Sequence, residues 1–141
     1  MHKNRDIKDI LKELYRLNFS VASLKEEIEY NDCLLTKVSP TLKSDIIQSS
    51  NKVTMEDLII KKNRYTEQLR IKMYRQIQLK EFIEKILDNL GNLEWQDLIR
   101  RRYYRNQKWW EIASALNRSE SHTKKLHGTI LNDMRNIVKK L

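Results

Sequence analysis

The chain has 141 residues, enough for one domain or for a small domain carrying an extended helical arm, and too few for an enzyme with a deep site. Two glycines and one proline, against 33% charged residues, exclude a turn-rich sheet protein and predict an almost wholly helical one. The net charge of +9 is unevenly placed: from Gly91 onward 11 Lys and Arg stand against 5 Asp and Glu, so the last third is the part suited to a polyanion.

Cys33 is single, which rules out an internal disulfide and a Cys and His metal cluster. No cofactor is expected. The opening MHKNRDIKDI lacks an apolar signal core, and no run approaches the length of a membrane span. The expectation is a cytoplasmic protein with no membrane partner and no small-molecule substrate.

From Ile7 the apolar residues recur with heptad spacing at Ile10, Leu14, Leu17, Val21, Leu24, Ile28 and Leu35, with polar Asn31 in the same seam. A two-position seam is the mark of a coiled-coil partner, and an Asn within it selects register. The pattern predicts a first helix from about Asp6 to Lys37, ended by Pro40. Ser39 to Val53 reads as a connector in which Leu42, Ile46 and Ile47 can form a helical turn. Thr54, followed by Glu56 and Asp57, offers a cap and an acidic first turn for a second helix. Its seam is Leu58, Tyr65, Leu69, Leu79, Ile83, Ile86 and Leu90, interrupted near Lys62, Lys72 and Gln76, with a stop at Gly91 and Asn92. Two such helices can fold back on each other within one chain or pair between chains. Either way the half reads as a structural or dimerisation arm.

After the stop, Leu93, Trp95, Leu98, Ile99 and Tyr103 fall near one side of a third helix, with Arg100, Arg101, Arg102 and Arg105 around the other. Such arginines suit phosphates; the alternative is pairing with Glu94 or Asp97. Asn106, Gln107 and Lys108 break the pattern. A short helix from Trp109 to Leu116 then presents Ile112, Ala113 and Leu116 inward, and small Ala113 permits a close helix crossing. Of the two tryptophans one belongs in the core, and Trp109, which starts the helix, is expected at the surface. Asn117, Arg118 and Ser119 form a turn, and Ser119 caps a last helix whose free amides favour a phosphate.

Along that last helix Thr123, Leu126, Ile130, Met134 and Ile137 recur at spacings of three and four and should face inward, leaving Ser121, His122, Lys124, Lys125 and Thr129 outward. Lysines suit phosphates or guanine edges, and Ser, Thr and His can donate or accept beside bases. Gly128 either admits a close backbone approach or is a tolerated helix residue. His122 and His127 are five apart, the wrong spacing for a zinc pair on a helix, and neither has a nucleophile partner. No enzymatic activity is expected.

The segment RYYRNQKWWEIASALNRSESHTKKLHGTIL resembles the sigma-70 region 4 type of helix-turn-helix, and within it the phage-encoded transcriptional regulators of the ArpU and RinA kind. The shared elements are an aromatic and basic helix end, a Trp, the pair Ile112 and Ala113, Leu116, Ser119 with Glu120, and Leu126 with His127. Asn117 and Arg118 stand where that type carries glycine and an aliphatic residue, and Thr123 occupies a normally aliphatic inward place. The resemblance covers about 45 residues and implies promoter reading through the final helix, by Ser121, His122, Lys124 and Lys125.

Together these readings give an all-α chain: a long antiparallel helical hairpin, a coiled-coil-like dimerisation arm, over 1–90, then a helix-turn-helix domain over 91–141. The expected partner is double-stranded DNA in a bacterial host cell, at the nucleoid, with host RNA polymerase a further partner for the arm. Candidate DNA-binding residues are Arg101, Arg102, Arg105, Lys108, Trp109, Arg118, Ser119, Ser121, His122, Lys124, Lys125 and Thr129. A DNA-packaging subunit of the small terminase kind and a coiled-coil adaptor without nucleic acid are the competing readings.

Overall fold

The computed structural model describes residues 4–37 and 53–141. Among them are five helices and no strands: α1 (Ile7–Lys37), α2 (Met55–Asp88), α3 (Leu93–Tyr103), α4 (Trp109–Ala115) and α5 (Glu120–Lys140). The stop at Pro40 and the turn at Leu42, Ile46 and Ile47 lie outside the described residues. No described helix is long and apolar enough to cross a membrane.

The start of α2 has a reciprocal cap. Thr54 Oγ1 accepts from Asp57 N–H at 3.1 Å, and the Asp57 carboxylate accepts from Thr54 N–H at 3.1 Å, satisfying two amides that a helix start leaves without partners. Past the end of α2, Gly91 takes φ +68°, the left-handed conformation in which a Cβ is strained. Asn92 serves the next helix instead of the stop: its Oδ1 accepts from Glu94 N–H at 3.0 Å and from Trp95 N–H at 3.3 Å.

The two long helices pair antiparallel within one chain, because from Asn18 through Ser20 to Asp32 the partners on α2 fall from Gln76 through Lys72 to Lys62. Glu13 meets Arg75 at 3.0 Å, Asn18 meets Gln76 at 2.8 Å, Ser20 meets Lys72, and Asp32 meets Lys62 at 2.5 Å. The chain divides into two compact units, one made of the part up to Asn18 with Arg75–Leu141, the other of Phe19–Tyr74.

In the first unit every helix contributes to one core. Ile7, Ile10, Leu11 and Leu14 of α1 and Leu79, Ile83, Ile86 and Leu87 of α2 join Leu98, Ile99 and Tyr103 of α3, Ile112 of α4, and Ile130, Leu131 and Met134 of α5. Leu11, Leu87 and Leu131 lie off the expected seams. They are buried because α1, α2 and α5 here touch more than one neighbour, so a narrow seam widens into the broad stripe of a globular helix. At about 1.5–3 kcal/mol for each fully buried aliphatic side chain, this core is the main source of stability. Leu93, expected with the inward set of α3, is 80% exposed in its first turn.

In the second unit Val21 and Leu58 are buried, and the rest of the seam is half-exposed or polar. The residues that interrupt the heptads do not point away. Lys72 donates to the Ser20 hydroxyl and Lys62 pairs with Asp32, so polar side chains meet across the helices. Asn31 is 1% exposed, and its Nδ2 has no hydrogen-bond partner among the described residues.

Candidate nucleic-acid interface

The segment from α3 to α5 builds its outward face from an inward one. Ile112 and Ala113 of α4 are buried, as are Thr123, Ile130, Leu131 and Met134 of α5, and α4 packs on α5 while α3 packs on both. Thr123 occupies an apolar position without an unmet polar group, because its hydroxyl donates to Ser119 C=O at 2.8 Å.

The turn between α4 and α5 closes without glycine. Asn117 adopts φ +55°, a conformation Asn tolerates better than most side chains. Its N–H donates to Ser114 C=O at 3.2 Å, and Arg118 N–H to Ala113 C=O at 2.9 Å, the paired bonds of a Schellman end. Ser119 Oγ then accepts from His122 N–H at 3.1 Å and starts α5. Arg118 holds Glu94 of α3 at 2.8 Å and reaches His122 Nε2 at 2.7 Å, so its charge is partly committed to the turn.

The face of α5 opposite the core carries Ser121, His122, Lys124, Lys125, Gly128 and Thr129, all exposed. A Cβ built on Gly128 meets nothing within 4 Å, so no part of this chain requires the glycine. In the loop before α4, Arg105 and Lys108 are exposed as well, and Lys108 N–H donates to the Glu111 carboxylate at 2.9 Å, which caps α4.

The three arginines of α3 all have partners within the chain. Arg100 forms a two-bond pair with Glu84 of α2, at 3.1 and 2.7 Å, and this pair together with the Tyr104 hydroxyl holds the Glu84 carboxyl below the usual carboxylate range. Arg101 pairs with Asp97 at 2.6 Å, the alternative reading of this cluster. Arg102 lies between two rings, 4.6 Å from the centroids of Tyr15 and Trp109, and donates to Gln107 C=O at 3.0 Å.

The tryptophans are the reverse of the expectation. Trp109 is half-buried against Arg102 and His127, and Trp110 is 59% exposed. The first residue of α4 is drawn in because its ring completes a cluster of Tyr15, Arg102, Tyr103 and His127, whereas Trp110, one position on, turns about 100° away. The sequence offered no sign of this, since the partners come from three other helices.

Within that cluster Tyr103 Oη lies 2.7 Å from His127 Nε2. Burial, helped by the charges of Arg102 and Lys8, pushes the His127 imidazole down to about 4, and burial pushes the Tyr103 phenol up to about 12. Both rings are therefore neutral near pH 7, and a single hydrogen bond joins them. A second tie fixes the α3–α4 loop. Asn106, at φ +52°, donates to Tyr15 C=O at 2.9 Å and accepts from Asn18 at 2.6 Å, while Asn18 also donates to Tyr103 C=O at 2.7 Å. Asn106 read only as part of a polar break, because nothing local indicates a partner 91 residues earlier.

The chain matches no protein-family model, no curated protein and no solved structure.

Proposed function

We propose that this chain is a sequence-specific double-stranded DNA-binding protein, a phage or prophage transcription regulator acting at a promoter, in which α4, the turn and α5 form a helix-turn-helix. The observation that carries the reading is the outward face of α5: Ser121, His122, Lys124, Lys125 and Thr129 lie exposed just beyond a Ser-capped N-terminus, on a helix whose other side is buried. That combination of basic and hydrogen-bonding groups on a rigid helix suits a major groove. Arg105 and Lys108, exposed in the preceding loop, fit the flanking phosphates. Arg101, Arg102 and Trp109 act through the fold, holding the loop and α4 in place. The promoter assignment rests on the resemblance of the segment to sigma-70 region 4, and the roles of the long helices in dimerisation and in contact with host RNA polymerase belong to the same proposal.

Fluorescence anisotropy across a salt series tests it, comparing random duplex with fragments from the chain's own genomic neighbourhood. Tight, salt-sensitive binding to one fragment, weakened by Lys124→Ala with Lys125→Ala in a folded variant, is the expected result. Absence of salt-sensitive binding to any duplex contradicts the proposal and favours a protein adaptor. Light scattering on the same sample separates a dimer on paired half-sites from the many-subunit ring of a packaging protein.

A further inference from the structure

The part of α1 before Asn18 has two distinct flanks beside its buried Ile7, Ile10, Leu11 and Leu14. At about 100° per residue, Glu13 falls on one flank, where it meets Arg75 of α2 at 3.0 Å. Lys8, Lys12 and Tyr15 fall on the other, and contacts of Tyr15 show what that flank borders. Its ring lies 4.6 Å from the Arg102 guanidinium and 6.4 Å from the Tyr103 ring, and its carbonyl accepts from Asn106 at 2.9 Å. The flank therefore runs beside the end of α3 and the loop that leads into α4.

Helix α5 meets the same segment. Arg135 pairs with Asp6 at 2.7 Å, and His127, two turns earlier on α5, lies within the electrostatic reach of Lys8. Tyr15 touches Tyr103, which in turn touches His127, so α1 runs along α5 from Arg135 toward its N-terminal half, with Lys8 and Lys12 on the way. Lys8 and Lys12 are exposed, and neither forms an ion pair among the described residues. Of the nearby carboxylates, Asp6 pairs with Arg135 and Glu13 with Arg5 and Arg75, while Asp9, exposed in the same first turn, forms no ion pair among the described residues. Two exposed lysines without an ion-pair partner among the described residues thus lie on the part of α1 that runs along α5, on a helix that the sequence assigns to an arm.

We propose that Lys8 and Lys12 of α1 contact the duplex backbone beside the groove occupied by α5, making the start of the first helix part of the DNA-binding surface. This inference rests on the duplex-binding reading of α5. Phosphate contacts of this kind set orientation without reading sequence, so they act on affinity and salt dependence and leave the preferred site unchanged.

The test measures the slope of log affinity against log salt for the full chain, for Lys8→Ala with Lys12→Ala, and for a charge-matched control, Lys61→Ala with Arg64→Ala on α2. Each neutralised phosphate contributes about 0.9 to the slope, so the Lys8 and Lys12 variant is expected to lose roughly 1.8 with its thermal melt and site preference intact, while the control keeps the parent slope. A parent slope in the Lys8 and Lys12 variant, alongside weakened binding by Lys124→Ala with Lys125→Ala, overturns this inference alone. An equal loss in both pairs also overturns it, since a net-charge effect then accounts for the change. Absence of salt-sensitive binding by the unaltered chain overturns the duplex reading and this inference with it.

Discussion

The two compact units use the same pair of long helices in opposite ways. Where α1 and α2 belong to the first unit, they share a fully buried aliphatic set, among them Ile10, Leu14, Leu79 and Ile83, with the polar pairs Glu13–Arg75 and Asn18–Gln76 beside it. Where they belong to the second, the facing positions include Ser20 with Lys72, Asp32 with Lys62, and Asn31 with an unmet amide. Apolar burial supplies free energy in proportion to area and has little directional preference. Polar pairs near water supply little net energy and depend strongly on alignment. The first unit is thus built for stability, and the polar seam of the second is built for register.

The largest test of that contrast is a truncation in each unit. Leu98→Ala, at a position with no exposure, is expected to lower unfolding free energy by about 2–5 kcal/mol in a denaturant titration. Leu69→Ala, half-exposed in the polar stretch, should cost clearly less. Equal losses would break the distinction.

Acid should act on the first unit through His127. Its imidazole protonates near 6.5 in an unfolded chain and at about 4 in the folded one, so the unfolded state binds the extra proton between those values. Stability is complete above pH 6.5 and falls as pH drops through that window, by up to roughly 3 kcal/mol. Thermal melts across pH 4 to 7 should show this slope, and His127→Gln should flatten it; a slope retained in that variant would place the acid sensitivity elsewhere.

These two effects also mark how far the sequence was legible. The helix ends at Lys37 and Thr54, the cap at Ser119 and the outward set of α5 all follow from local spacing and caps, and local rules state them well. What spacing cannot show is which side a third helix occupies. Leu11, Leu87 and Leu131 were missed for that reason, and Trp109 was expected on the surface because its partners Arg102 and His127 are distant in the chain. The arginines divided by the same logic: on α3 Arg100 finds Glu84 and Arg101 finds Asp97, while Arg105 in the following loop is left exposed.

Smaller substitutions sharpen the picture. Asn31→Leu removes a buried donor without a partner and should raise stability by about 1–2 kcal/mol, read as a higher melting temperature. A fall would mean that the amide is satisfied in solution. Gly128→Ala should add about 0.5–1 kcal/mol through helix propensity, because a Cβ there meets nothing within 4 Å. If the same variant also weakens duplex binding, the glycine serves a close approach by DNA; unchanged binding makes it a tolerated helix residue.

The most direct test of the central claim, that the outward face of α5 meets duplex DNA, is an amide chemical-shift titration of the isotope-labelled chain with its genomic fragment. The account predicts that the largest shifts cluster from Ser119 to Thr129, with weaker ones at Arg105 and Lys108. Shifts confined to the long helices, or none at duplex concentrations that saturate anisotropy, would contradict it.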